Sequence, residues 1–156
     1  MAGAFGGNVV LGGEIDRVGK IGALPHPQFP SLTAPKVKGV WIDVPPTIGT
    51  YSKIIIANKD TEFINASLAA SGYLHPDYWE FTVGTYKMFE TIYTKELPQT
   101  IYSGTMMAMI FPIAKDTPLR IDFVNNSGTS KQVWIDIKLL VAPADADTLV
   151  LDVLDA

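Results

Sequence analysis

Between Pro118 and Val141 the chain reads PLRIDFVNNSGTSKQVWIDIKLLV, and no other stretch limits the possible folds so tightly. Leu119, Ile121 and Phe123 alternate with Arg120 and Asp122; Val133, Ile135, Ile137, Leu139 and Val141 alternate with Trp134, Asp136 and Lys138. Period-two alternation means strands with one buried and one wetted face. Asn125-Asn126-Ser127-Gly128-Thr129-Ser130 lies between the two runs and has turn chemistry, since Asn and Gly tolerate positive φ. With Phe123 opposite Val133, Ile121 meets Ile135, Leu119 meets Ile137, and Arg120 faces Asp136 as an opposite-charge pair. The stretch therefore predicts one long antiparallel hairpin.

Other strand signals follow at intervals of 8–12 residues. Val37–Val44 places Val40, Ile42 and Val44 on one side and Trp41 on the other, and Pro45-Pro46 ends it. Tyr51–Ala57 is β-branched and dense, as expected where both faces are covered. Glu62–Ala69 is read as a strand because Thr61 and Asn65 form helices poorly. Tyr78–Val83 and Tyr86–Tyr93, joined at Gly84-Thr85, read as a hairpin. Thr100–Tyr102 is a short edge, and Met107–Ile113 a buried run with Pro112 at an edge or bulge. About eight strands without a convincing helix predict an antiparallel β-sandwich of jelly-roll type, with an immunoglobulin-like sandwich as the close alternative.

The flanks differ from this body. Seven of the 13 glycines precede Ala23, and four prolines follow by Pro35, so residues 1–36 predict an extended arm outside the core. A disordered leader is the plain reading; an arm laid on a neighbouring subunit, gripping through Val9, Val10, Leu24 and Phe29, is preferred. Residues 37–141 form the sandwich. Residues 142–156 are an acidic linker and a terminal strand whose Leu149, Leu151 and Val153 need cover, either from their own sheet or from a neighbour's edge.

Composition excludes several function classes. Sixteen acidic against 12 scattered basic residues leave a net charge of −4, unsuited to nucleic acid. The absence of cysteine removes disulfides, thiolate metal sites and thiol nucleophiles. No apolar run approaches the ~18 residues of a membrane-spanning helix, and no secretory leader is read at the start, so synthesis in a cytoplasm and no membrane partner are expected.

No catalytic constellation emerges. His26 and His75 each stand beside a proline without a partner at ligand spacing; Asp145-Ala146-Asp147 lacks the remainder of a calcium loop; no phosphate-cradling or nucleophile motif occurs. Neither cofactor, metal nor enzymatic activity is expected. The sequons at Asn65 and Asn125 are read as chance, the second as fully exposed. The best ligand-binding candidate is the loop bearing Tyr73, His75, Asp77, Tyr78 and Trp79, where stacking faces beside polar groups suit a surface glycan. The competing reading makes Tyr78 and Trp79 the start of a strand, with one of them in the core. Trp41 and Trp134 fall on the outward parity of their strands and are candidates for a protein interface.

The segment Trp79–Val141 resembles β-sandwich modules of virion proteins of tailed bacteriophages, both capsid decoration proteins and tail or baseplate accessories. The resemblance is carried by Ile110-Phe111-Pro112-Ile113, by Lys115 through Gly128 with its Leu-Arg-Ile-Asp-Phe core, and by Lys131-Gln-Val-Trp-Ile-Asp-Ile137. It implies a closing hairpin, no catalytic residues, and tethers between subunits like the Gly-rich arm and the terminal strand. The function expected on this basis is a structural accessory protein of a phage particle. It would be located in the virion and associate with itself (a trimer being one form) and with other virion proteins through arms and β-edges.

Overall fold

A computed structural model describes residues 31–73, 76–103 and 110–156. Its described residues form ten strands: β1 (Ala34–Val44), β2 (Gly49–Ala57), β3 (Thr61–Ala70), β4 (Tyr78–Val83), β5 (Tyr86–Tyr93), β6 (Gln99–Tyr102), β7 (Phe111–Ile113), β8 (Pro118–Asn125), β9 (Lys131–Val141) and β10 (Leu151–Asp155). One sheet runs β1-β9-β3-β6, with β7 also on β3; the other runs β10-β2-β8-β4-β5, and all pairs are antiparallel. With β6 and β7 sharing one position, β1–β9 fill the eight positions of a jelly roll, two four-stranded sheets interleaved in sequence. β10 is an addition on the outer side of β2.

This topology overturns the predicted 118–141 hairpin. β8 pairs with β2 and β4, whereas β9 pairs with β1 and β3 in the other sheet. The polar segment between them is a corner that carries the chain from sheet to sheet, with Gly128 at φ +71°. Phe123 therefore faces Tyr51 and Trp79 in its ladders, and Val133 faces Ile42 and Ala70. Arg120 bonds Asp122 at 2.8 Å through Nε, while Asp136 lies opposite Gly39 and Ser67. The β4–β5 hairpin is present as expected, turning at Gly84 with φ +60°.

Inward parity fills the core. Val40, Ile42 and Val44 of β1, Ile55 of β2, Trp79 and Phe81 of β4, Leu119, Ile121 and Phe123 of β8, and Val133–Leu139 at alternate positions of β9 are buried. Phe63 of one sheet stacks on Phe81 of the other at 4.9 Å and so joins the layers, while Trp79 of β4 meets Phe89 of β5 edge-on at 5.8 Å within one sheet; both are favoured aromatic geometries. β3 breaks its own alternation. A register shift between Phe63 and Asn65 lets both Phe63 and Ala66 point inward, as a bulge does. Ile54 and Ile56 are only partly buried on the outer face of β2, so the full cover expected for both faces of that strand is not found.

The described parts of both flanks are closer to the body than their composition suggests. β1 begins at Ala34, inside the stretch read as arm, and pairs there with Val141. The terminal strand folds back on its own sheet, with Val153 opposite Ile55.

Candidate functional site

Outward positions on β1, β9 and β3 form cross-strand rows. Trp41 lies directly opposite Trp134, which lies opposite Ala69; the next row is Gly39, Asp136, Ser67 and Thr100; beyond it are Val37, Lys138, Asn65 and Tyr102. Trp41 is 56% exposed, Trp134 46% and Val37 60%, because no described element covers this face. Directly opposed residues on neighbouring strands stand on the same face within about 5.5 Å at Cα, so both exposed indoles belong to one patch of that face. Small neighbours leave it open: Ala69 carries one methyl, and a Cβ on Gly39 would come within 3.3 Å of the Asp136 carboxylate. Asp43, Asp136 and Lys138 rim the patch with charge. Aromatic centre and polar rim are the arrangement of a docking surface.

The loop singled out for ligand binding is dispersed by strand parity. Trp79 points inward and is fully buried, so it is a core residue and not a platform. Tyr78 points outward and meets Tyr93 edge-on at 5.8 Å. Tyr73 is exposed, and His75 lies outside the described residues, as do His26, Val9, Val10, Leu24 and Phe29.

Asp77, the remaining member, is buried and structural. Its Oδ1 accepts the backbone N–H groups of Asn126 and Ser127, both at 2.8 Å; its Oδ2 accepts the Lys131 ammonium and the Ser127 hydroxyl, the latter at 2.9 Å. The Lys131 side chain is almost completely buried as well. Burial is the strongest single influence on the Asp77 carboxyl and pushes its pKa up, but the Lys131 ammonium and the Ser127 and Asn126 donors together outweigh it and hold the group below its ordinary value. The pair ties the entry to β4 to the corner between β8 and β9, hence one sheet to the other. Asn125 is buried beside it, not exposed as its sequon suggested. Its amide donates to the carbonyls of Pro45, Thr47 and Thr129, and its oxygen accepts the Gly128 N–H.

One residue was missed entirely. Glu62 is 3% exposed, and its carboxylate accepts the Ser31 N–H and hydroxyl and the Leu32 N–H at 2.6–3.2 Å, fastening the chain where it enters the sandwich. Its position one residue before an inward Phe63 assigns it to the wetted face; only the crossing of Ser31 and Leu32 buries it. Glu62→Ala is expected to free this entry segment. Amide exchange at Ser31 and Leu32 should rise at least tenfold while global stability falls by about 1–2 kcal/mol, the scale of lost charge-assisted hydrogen bonds.

Among the described residues no group of three His, Asp or Glu is placed to hold a metal ion, and no helix is long and apolar enough to cross a membrane. Two open clefts lie among the described residues, about 460 Å³ beside Lys95–Ile101 and about 360 Å³ beside Glu62. No curated protein and no solved structure matches the chain. A family model described as a domain of unknown function, DUF8551, matches residues 32–144, from the Glu62 clasp to the residues just after β9. That span is 113 of 156 residues and takes in the whole jelly roll, so the chain belongs to the DUF8551 family.

Proposed function

We propose that this protein is a non-enzymatic structural accessory subunit of a phage particle, a capsid decoration or tail component, that docks on neighbouring subunits through the outer face of the β1-β9-β3 sheet. The observation that carries the reading is the exposed Trp41–Trp134 pair, directly opposed on a face that nothing described covers. Each indole presents about 150–250 Å² of side-chain surface, and residues of this kind dominate interface energies when desolvated. Two further considerations support it. The Trp79–Val141 segment resembles virion modules, and jelly rolls recur in viral capsid proteins, the latter being analogy at the level of fold.

The same pair favours a second reading. Two adjacent indoles flanked by Asp43, Asp136 and Gln132 also suit a pyranose chain, through stacking and hydroxyl-to-carboxylate bonds. It replaces the dispersed Tyr73–Trp79 loop as the place where a glycan would bind.

The Trp41→Ala/Trp134→Ala chain separates these. The expected result is wild-type association in light scattering, weakened about 30-fold or more in the variant, as for loss of a hot spot worth about 2 kcal/mol. Its thermal midpoint should be nearly unchanged. A monomeric wild type that binds a glycan array, with binding lost in the variant, supports the lectin. Absence of the chain from purified particles of the phage that encodes it overturns the virion assignment.

A further inference from the structure

We infer that β10 is an exchangeable strand whose second seat is the β2 edge of another copy of this chain. The eight jelly-roll positions are complete without it, and the family match ends at Ala144, before it begins. On the other side of β2, β8 buries Leu119, Ile121 and Phe123; β10 buries no side chain, Leu151 being partly covered, Val153 37% exposed and Leu154 48%. Of its residues only Leu151 packs against the core cluster.

The contacts that hold it have one address. Leu151–Asp155 pair with Lys53–Ala57, Lys53 pairs with the Asp155 carboxylate, Ala156 N–H donates to Ser52, and Asn58 holds Val150 by N–H and side chain and the Thr148 carbonyl by its amide. Every one of these partners lies in residues 52–58. A neighbouring copy offers the same set unchanged, so cis and trans seats have equal contact energy, the usual condition for strand exchange.

The hinge lies between. Ala142 is held extended (φ −61°, ψ 137°) ahead of Pro143, and Pro143–Asp145 form a short 3-10 turn with no buried residue, closed by Asp145 N–H to the Ala142 carbonyl. Straightened, the six residues from Ala142 to Asp147 reach roughly 20 Å. The cis seat competes with an effective concentration on the order of millimolar, so exchange becomes favourable where copies are crowded to that level. To that extent it rests on the assembly reading.

The chain has no cysteine, which makes the test direct. Ile54 and Leu154 are opposed in the β2–β10 ladder. Full chains carrying Ile54→Cys alone and Leu154→Cys alone are mixed, oxidised and digested; the double variant reports the cis seat. The expected product at ~1 mM is a disulfide joining position 54 of one chain to 154 of the other, falling at least tenfold at ~10 µM. Self-linked 54–54 and 154–154 products should be minor. A double variant that closes internally, with no 54–154 link in the millimolar mixture, overturns exchange. Failure of the double variant to close overturns the pairing itself, and a statistical spread of products means collision and overturns it too. Association that is lost in the Trp41→Ala/Trp134→Ala chain without any 54–154 link leaves the assembly reading standing and removes exchange alone.

Discussion

Lys131→Ala is expected to destabilise the protein by about 3–5 kcal/mol, because it strands the fully buried Asp77 carboxylate among donors that no longer neutralise it. With a urea slope near 2 kcal/mol/M, the unfolding midpoint should drop by about 1.5–2.5 M. Asp77→Ala should cost a similar amount by leaving the ammonium alone. The Asp77→Asn/Lys131→Met double variant should recover much of the loss, since replacing both charges removes the desolvation cost along with the attraction. Equal losses in the double and single variants would show that the pair matters for shape and not for charge. Acid gives an independent check. The Asp77 pKa is depressed in the folded protein, so its contribution is complete above the unfolded value of about 3.9 and is lost as pH falls through the folded one. Wild-type stability should therefore decline below about pH 4 more steeply than that of the double variant.

Trp79→Ala should rank beside it, at about 3–5 kcal/mol, whereas Trp134→Ala should stay within about 0.5 kcal/mol of wild type. Trp79 is fully buried and packs edge-on against Phe89, inside the aromatic cluster that joins the two sheets. Truncation leaves a cavity beside Phe89. For a chain of this length the midpoint should fall by roughly 6–20 °C. Trp134 touches solvent, so its removal should register in association or glycan binding instead. Comparable melting losses for the two variants would contradict the placement of one indole in the core and the other on the open face.

Alternation was informative wherever the question was which face a residue occupies. It placed Trp41 and Trp134 outward, and the β8 and β9 aliphatic residues inward, all as found. The Asp77–Lys131 pair was also legible in this way. Asp77 shares the parity of Trp79, Phe81 and Val83, and Lys131 that of Val133, Ile135 and Ile137. One acid and one base, each in phase with a buried face, is the signature of an internal ion pair. Reading the loop as a ligand platform obscured it. Glu62 offered no such signal, since the segment that buries it lies 30 residues earlier in the chain.

The chain's own residues thus determined an all-β sandwich, the inward and outward face of most strands, and the turn at Gly84. Which strand lies beside which was decided only in three dimensions. A period of two looks the same whether β8 pairs with β9 or with β2 and β4, because each register presents the same apolar face to the core. The corner at Asn125–Ser130 becomes a change of sheet because its hydrogen-bond partners, the buried Asp77 and the carbonyls of Pro45 and Thr47, lie 49 to 80 residues away. Hydrogen bonds of that range can be satisfied only once the two layers have met.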